Sequence, residues 1–283
     1  MNVVAPYYPR NFIARIVFCW LFCILIYFFC THTLLSQLQQ PVFIHSGSDN
    51  TFWLLHYLRI PQFFLHNYWA ALLFDITITT SCIICIVLPQ NKACTYITIL
   101  GIWLLHFCYS SAAGKHYAQI GYLLPPFALL IFNEKKFAIS WQLIRYWICF
   151  LYCSAGIYKM VYGGFFYANN MSNILQQMNA EWLFFNPKGV QTSCIYFLIN
   201  HPFWAQLFYQ AAVLIELAFF IGFFTKKYDK YLVSTLILFH VGNYFLLHIS
   251  FIEQSLIFAP FFAWHTIAAY FYSNKNNDRP IAF

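Results

Sequence analysis

The sequence predicts an all-α integral membrane protein: a helical bundle of about eight transmembrane helices with both termini in the cytoplasm. The composition is the first reason. Of the 283 residues, 61% are hydrophobic and 8% are charged, whereas soluble domains carry about 25% charged residues. So few charges cannot cover a soluble surface, and an aromatic content of 23% excludes a disordered chain. The other two reasons are repeated apolar stretches and the distribution of basic residues around them.

Four apolar stretches in the first half are each long enough, or nearly so, to cross the hydrocarbon core as a helix. They cover residues 11–30, 67–88, 93–112 and 117–132. No small-residue cleavage site follows the first stretch, so we expect an uncleaved anchor and not a signal peptide. Pro125 and Pro126 lie inside the fourth stretch, where they predict a kink or a break.

Four further stretches complete the predicted bundle. They cover residues 139–162, 202–224, 231–249 and 252–272. The two long connections, 31–66 and 163–201, are polar and aromatic, as is typical of interfacial loops and short helices, and 170–182 is predicted to be one amphipathic helix. Without an internal repeat or a linker, residues 1–283 are expected to form one transmembrane domain with no soluble domain at the C-terminal end.

The positive-inside rule supports eight spans. Alternating the loops places ten basic residues on one side of the membrane and three on the other. The ten are Arg10, Arg15, Lys92, Lys135, Lys136, Lys226, Lys227, Lys230, Lys275 and Arg279, and the three are Arg59, Lys115 and Lys188. This bias accounts for the net charge of +7. Because no Lys/Arg run exceeds two residues, a nucleic-acid partner is not expected.

Five charged residues fall near or inside the predicted spans. They are Asp75, Arg145, Lys159, Glu216 and Glu253. A charge at the bilayer centre costs about 2.5–3.5 kcal/mol on insertion scales, so such residues face the bundle interior. One interpretation is structural ion pairs, Asp75 with Arg145 and Glu216 with Lys159; the other is a functional site.

Lys159 is the strongest functional candidate among them. It lies near the non-cytoplasmic end of the fifth span, where a lysine can simply extend its side chain to the interface. Alternatively, desolvation yields a neutral amine that acts as a base. The small residues Ser154, Ala155 and Gly156 precede it and allow another helix or a flat ligand to approach closely.

Two histidines accompany this lysine. His240, in the middle of the seventh span with Asn243 three residues later, is either a packed polar contact or a proton-handling group. On topology alone, His116 is an ordinary interfacial histidine. The predicted spans bring Lys159, His116, His248 and Glu253 to the same face of the membrane, with His240 and Glu216 deeper.

The ten cysteines and the remaining histidines give weaker signals. Cys82 and Cys85 form a Cys-x-x-Cys pattern, but cysteines in an apolar helix usually serve as small hydrophobic residues. A dithiol near a quinone is the alternative, although this pair lies toward the cytoplasmic end of its span. The histidine spacings match no metal motif, so no metal is expected.

Three stretches carry a resemblance to a known family. They are 152–159 (Tyr-Cys-Ser-Ala-Gly-Ile-Tyr-Lys), 182–187 (Trp-Leu-Phe-Phe-Asn-Pro) and 214–217 (Leu-Ile-Glu-Leu), the last followed by Phe239-His240 and Asn243. Together with His116 and Gly121, they resemble the membrane domain of vitamin K-dependent gamma-carboxylase. That domain is shared with a broader bacterial set, the horizontally transferred transmembrane domain (HTTM) family, and the resemblance spans about residues 96–264.

This resemblance implies a chemistry. In the carboxylase a reduced naphthoquinone is deprotonated by a lysine, which corresponds here to Lys159, with a histidine corresponding to His116 assisting. The deprotonated quinone reacts with oxygen to give an alkoxide, a strong base that removes a glutamate proton, and carbon dioxide then adds to the carbanion. The carboxylase also has a large lumenal domain after its membrane helices, whereas this chain extends only about ten residues past the last span. Stand-alone bacterial relatives include the SdpB-type proteins, which help to mature a secreted peptide.

The first hypothesis is therefore a membrane enzyme that acts from the non-cytoplasmic side on a peptide, lipophilic or quinone substrate. Lys159 is its base, His116 and His240 assist, and Glu216, Asn243, Arg145 and Asp75 support. The second is a non-catalytic accessory, maturation or immunity factor, whose partner is a small secreted peptide or an operon-encoded protein. The third is a small transporter. The absence of a targeting peptide and the short length favour a bacterial inner membrane.

Overall fold

A computed structural model describes residues 9–38, 57–113, 123–249 and 252–277. The described chain is helical, with no strand in any of these ranges. It divides into two compact units. The first comprises residues 1–141 and 263–283, and the second comprises residues 142–262. The predicted all-α class is confirmed, and the single transmembrane domain stays a prediction.

The first unit is built largely from apolar helices. Its elements are α1 (Arg10–Cys30), a 3-10 turn (Leu35–Gln37), α2 (Ile60–His66), α3 (Tyr68–Val87), α4 (Lys92–Ala113), α5 (Leu124–Ala128), the start of α6 (Glu134–Val161) and α11 (Trp264–Asn277). Local sequence explains several boundaries. Asn67 accepts a hydrogen bond from the Ala70 amide and so caps α3. Pro61 lies in the first turn of α2, where a missing amide hydrogen costs nothing.

The core of the first unit forms where α3 packs between α1 and α4. Phe18 and Leu21 of α1 are fully buried, as is Cys82 of α3, whose thiol donates to the Phe18 carbonyl. On the other face of α3, the hydroxyls of Ser81 and Thr98 share a buried hydrogen bond of 2.9 Å. Small polar contacts of this kind are typical of helix packing in membranes.

A buried arginine closes one end of this unit. The Arg10 side chain donates to the carbonyls of Leu129 (2.6 Å), Ile131 (3.0 Å) and Pro89 (3.2 Å). Its guanidinium also lies 4.2 Å from the centroid of the Phe132 ring. Because the start of α1 thereby meets the end of α3, these two helices run antiparallel, as the predicted alternation of spans requires.

The second unit consists of the rest of α6 and the elements that follow it. These are α7 (Asn170–Phe185), α8 (Val190–Asn200), α9 (Pro202–Ala218) with a 3-10 extension (Phe219–Phe223), α10 (Asp229–Leu247) and a 3-10 segment (Ile252–Phe261). A proline begins α9 and an aspartate lies in the first turn of α10, both favourable at a helix start.

One buried ion pair joins three parts of the second unit. Arg145 of α6 binds Asp229 of α10 in a two-pronged contact of 2.8 and 2.5 Å. The same guanidinium donates to the carbonyls of Gly222 and Thr225, in and after the 3-10 extension of α9. A Cβ atom on Gly222 would lie 2.5 Å from the Cys149 sulfur, so glycine is needed for this close approach. The predicted pairing of Arg145 with Asp75 is wrong: Arg145 pairs with Asp229.

Five helical segments of the described chain are long and apolar enough to cross a membrane. They are Arg10–Gln37, Tyr68–Val87, Lys92–Tyr109, Pro202–Phe223 and Asp229–Leu247. Each falls on one of the predicted spans. The fifth predicted span corresponds to α6, a helix of 28 residues, and the predicted amphipathic helix at 170–182 is α7.

Two predicted spans differ from the observed elements. Of the fourth, 117–132, residues 117–122 lie outside the described chain, and the rest holds only α5, with Pro125 and Pro126 in its first turn. The eighth, 252–272, is not one helix. Its 3-10 segment, which contains Pro260, ends at Phe261, and α11 begins at Trp264.

The Arg145–Asp229 pair generates a prediction about stability. Arg145→Met leaves a buried carboxylate without its cation, so we expect a loss of about 3–5 kcal/mol in the free energy of unfolding. Thermal unfolding in detergent, followed with a thiol-reactive dye, measures the effect. Arg15→Met is the control, because Arg15 is exposed. Adding Asp229→Leu to Arg145→Met should recover much of the stability; equal stability of the single variant and the wild type would contradict this role.

Candidate functional site

The candidate site follows one face of α6. Arg145, Tyr152 and Lys159 recur every seven residues, which corresponds to two helical turns and a step of about 10 Å along the axis. Arg145 and Tyr152 are buried, and the Lys159 side chain is 35% exposed. Each of the three side chains binds a polar partner from another helix of the second unit.

Lys159 pairs with Glu216 of α9. Its Nζ lies 2.5 Å from Oε1 of Glu216, whose side chain is only 4% exposed. The second carboxylate oxygen, Oε2, is buried and has no hydrogen-bond partner in the described chain. The predicted ion pair between these two residues is therefore present, with one carboxylate oxygen left over.

A glycine allows the two helices to meet at this pair. A Cβ atom on Gly156 would lie 3.0 Å from Cγ of Leu217 and 3.2 Å from Cβ of Glu216. The backbone of α6 thus approaches α9 directly beside the acidic side chain. This confirms the expectation that the small residues before Lys159 admit another helix.

Tyr152 and His240 form the middle contact on this face of α6. The Tyr152 hydroxyl and Nε2 of His240 share a hydrogen bond of 3.2 Å. The Tyr152 ring also packs against Phe219, with centroids 4.9 Å apart. His240 is thus a hydrogen-bonded group inside the unit.

The turn after α6 is fixed by polar side chains of α7 and α9. The carbonyl of Gly163 accepts hydrogen bonds from the Tyr209 hydroxyl (2.6 Å) and the Asn170 amide (2.9 Å). The Gln206 amide donates to the Phe165 carbonyl at 2.8 Å. These contacts satisfy backbone groups that a membrane environment would otherwise leave unpaired. They also hold the last turn of α6, and hence Lys159, in place.

Lys159 faces a large cavity within the second unit. The cavity has a volume of about 1460 Å³ and is bounded by residues of α6 to α10. Its walls are mainly aliphatic and aromatic, including Phe197, Phe208, Phe239 and Phe245. Polar side chains are few, and Asn243 of α10 is one of them. Sites of this composition bind apolar molecules and orient them with a small number of polar groups.

The structure places four predicted site residues at or close to this cavity. Lys159 and Asn243 line the cavity, Glu216 lies behind Lys159, and His240 occupies the next position inward. His116, the remaining catalytic candidate, lies outside the described residues. His248, expected at the same face, packs against Trp182 with the two rings tilted and their centroids 4.3 Å apart. The side chain of Glu253, also expected there, is outside the described part.

The two other supporting candidates serve the fold. Arg145 donates hydrogen bonds to Asp229 and to two backbone carbonyls. It lies two positions away from Lys159 in the row of Arg145, Tyr152 and Lys159 on α6. Asp75, in the first unit, accepts a hydrogen bond of 2.8 Å from the backbone amide of Ser36 and so fixes the 3-10 turn after α1. Neither belongs to the cavity.

Three residues of this arrangement were not predicted as site residues. They are Tyr152, Tyr209 and Asp229. The seven-residue spacing of Arg145, Tyr152 and Lys159 was a usable signal for the first, because it places all three on one helix face. Asp229 was overlooked because it precedes the apolar stretch at 231–249, among lysines counted as loop charges.

The described residues offer no group of three or more His, Cys, Asp or Glu side chains suited to a metal ion. Cys82 and Cys85 are free, buried thiols in the core of the first unit. The cavity with its lysine is therefore the feature of the described chain best suited to a small organic ligand.

The chain was compared with protein-family models, with curated proteins and with solved structures, and none of them matches.

Proposed function

We propose that this chain is an integral membrane enzyme of the HTTM, vitamin K-dependent carboxylase-like type. It acts from the non-cytoplasmic side on a peptide, lipophilic or quinone substrate, with Lys159 as the base. The observation that carries the proposal is the Lys159–Glu216 pair at the wall of a large apolar cavity. The ordered resemblance of segments 152–159, 182–187 and 214–217 supports the choice of family.

The pair is suited to proton transfer. A lysine accepts a proton only as the neutral amine, and here a carboxylate lies within hydrogen-bond distance of Nζ. When the proton shared by the pair resides on Glu216, the Lys159 amine is free to take a proton from an acidic group of a ligand bound in the cavity. Glu216 is then more than an orienting partner, because it stores the proton between turnovers.

The cavity also suits the cofactor that the resemblance implies. A reduced quinone is flat and apolar and supplies an acidic ring hydroxyl. Aromatic walls such as Phe208 and Phe239 match its ring, and the Phe239 centroid lies 5.8 Å from Nζ of Lys159. His240, adjacent to Phe239 and fixed by Tyr152, is placed to assist in handling protons. The proposed role of His116 rests on the resemblance alone.

The same proposal includes a topology and a location. We infer eight spans with both termini in the cytoplasm of a bacterial cell and the chain in the inner membrane. The support is the distribution of basic residues, together with lipid-compatible surfaces. Large apolar side chains outside the cavity, such as Leu73 and Leu214, are each more than half exposed, which water would disfavour and lipid would not.

The topology predicts the behaviour of reporter fusions. Green fluorescent protein fused after Phe283 should fluoresce, and alkaline phosphatase at the same position should be inactive, because both report a cytoplasmic end. Alkaline phosphatase inserted after Lys188 should be active, since that loop is predicted to lie outside. Reversed activities at these two positions would overturn the orientation.

The proposed base predicts the effect of substitutions at Lys159. Lys159→Ala removes a group whose proton transfer contributes about 10²–10⁴-fold to rate. We therefore expect a deletion strain complemented with this variant to keep the null phenotype, at protein levels matched by immunoblot. Lys188→Ala, at an exposed lysine on the same predicted side, is the control and should complement fully. Full complementation by Lys159→Ala would refute the assignment.

One alternative has specific support. The Lys159–Glu216 pair also fits a structural role in a non-catalytic accessory factor for a secreted peptide. Replacing both members with well-packed apolar residues is often tolerated when a buried pair is structural. The double variant Lys159→Met/Glu216→Leu should therefore retain function in that case, and should lose it if the pair transfers protons. A small secreted peptide encoded beside this chain would favour peptide maturation, in either reading.

A further inference from the structure

The first unit contains a smaller cavity at the start of α1. It is an open cleft with a volume of about 410 Å³, and its walls come from the first residues of α1, the start of α6 and one face of α11. Its lining includes Arg10, Phe12, Glu134, His265, Ala268 and Ala269. All of them belong to the first unit, so this cleft is a different site from the cavity at Lys159.

Arg10 contributes a buried positive charge to this cleft. The residue is 2% exposed, and its hydrogen bonds go to three backbone carbonyls and, at 3.4 Å, to the side-chain oxygen of Asn11. These contacts can engage four of the five N–H groups of a guanidinium, which leaves one available. All four acceptors are neutral, and no carboxylate of the described chain forms an ion pair with Arg10. A negatively charged group bound here would offset the cost of burying this cation.

Glu134 contributes the opposite charge to the same cleft. It lies in the first turn of α6, its side chain is exposed, and it forms no ion pair within the described part of the chain. A simple anion in the cleft would be attracted by Arg10 and repelled by Glu134, and a simple cation would experience the reverse. A group that carries a negative and a positive charge a few bonds apart can pair with both residues.

The remaining wall of the cleft is apolar. It is formed by Phe12, Ala268 and Ala269, and the Phe12 ring packs against the rings of Trp264 and Phe271 with centroid distances of 6.3 and 5.8 Å. Charged groups therefore lie next to apolar surface, which is the arrangement that suits a lipid. In the topology proposed above, the starts of α1 and α6 both lie at the cytoplasmic surface, where lipid headgroups are found.

From these observations we propose that the cleft binds a phospholipid whose zwitterionic headgroup is a phosphoethanolamine. Its phosphate lies toward Arg10 and His265, its ammonium group lies toward Glu134, and its acyl chains begin along Phe12 and Ala268. A primary ammonium donates hydrogen bonds to a carboxylate, whereas the trimethylated amine of phosphatidylcholine has no N–H group to donate. The inference goes beyond the proposed function, since it concerns the first unit and requires no reaction at Lys159.

Headgroup selectivity tests the proposal. The full chain is reconstituted in nanodiscs of dioleoyl phosphatidylcholine that contain an equal small fraction of either dioleoyl phosphatidylethanolamine or dioleoyl phosphatidylglycerol. Native mass spectrometry then identifies the lipid that stays bound to the released protein. Relative to its share, we expect phosphatidylethanolamine to be retained about threefold more than either other lipid, because an exposed carboxylate strengthens binding only modestly. Equal or greater retention of phosphatidylglycerol or phosphatidylcholine would overturn the proposal.

A soluble competitor distinguishes a lipid from a free headgroup. Phosphoethanolamine without acyl chains carries the same two charges but cannot use the apolar wall of the cleft. We expect it to leave the retained lipid in place at millimolar concentration. Displacement of the lipid by this soluble compound would show that the charges alone suffice, and would contradict a membrane lipid as the ligand.

Glu134→Gln tests the contact with the ammonium group. Because Glu134 is exposed, thermal unfolding should be unchanged, while the preference for phosphatidylethanolamine over phosphatidylglycerol should fall to about one, since the anionic headgroup is no longer repelled. Glu181→Gln, at an exposed glutamate of α7 outside the cleft, is the matched control and should keep the preference of the wild type. The same preference in Glu134→Gln as in the wild type would refute this binding mode.

Ala269→Trp tests the position of the lipid. Ala269 is an exposed residue of the apolar wall, so a large ring at this position occupies the cleft without entering the core. We expect loss of the retained phosphatidylethanolamine with unchanged thermal unfolding. Ala93→Trp makes the same change at an exposed alanine of α4 outside the cleft and should retain the lipid. Normal retention by Ala269→Trp would place the lipid elsewhere on the protein and contradict the proposal.

Discussion

The second unit depends on the need to pair every polar group that α6 carries into an apolar environment. Arg145, Tyr152 and Lys159 share one face, and none of them can remain unpaired there at low cost. Each therefore binds a polar partner: Arg145 binds Asp229, Tyr152 binds His240, and Lys159 binds Glu216. Two of these partners lie on α10 and one on α9, so the three contacts fix both helices against α6.

The direction of the helices follows from the same contacts. Arg145 of α6 contacts Asp229 of α10, and Tyr152, further along α6, contacts His240, further along α10. These two helices therefore run parallel. In contrast, Arg145 reaches the carbonyls after the end of α9, while Lys159, further along α6, pairs with the earlier residue 216. That order makes α9 antiparallel to α6. The cavity lined by α8, α9 and α10 lies beside the last of these contacts, at Lys159.

The lengths of the apolar stretches and the positions of the charged residues predicted the helices and the candidate site residues. They predicted only in part how those residues pair. The apolar stretches at 67–88 and 93–112 coincide with α3 and α4, because length in the membrane decides them. Glu216 and Lys159 were paired correctly, since both needed a partner inside the bilayer. Arg145 was paired wrongly, because a sequence shows which groups need partners but not which helix faces meet. The 3-10 segment before Trp264 was also missed, although it contains Pro260, because a hydropathy average does not register a single proline.

The arginine near the start of α1 has a consequence for biosynthesis. Two of the three carbonyl acceptors of Arg10, those of Leu129 and Ile131, are synthesised 119 and 121 residues after it. At ordinary translation rates this interval is on the order of ten seconds. Throughout that time the guanidinium must stay in water or among lipid headgroups. α1 therefore enters the membrane before Arg10, at its N-terminal end, can form all of its hydrogen bonds. The first unit completes its packing only when the chain has grown past residue 131.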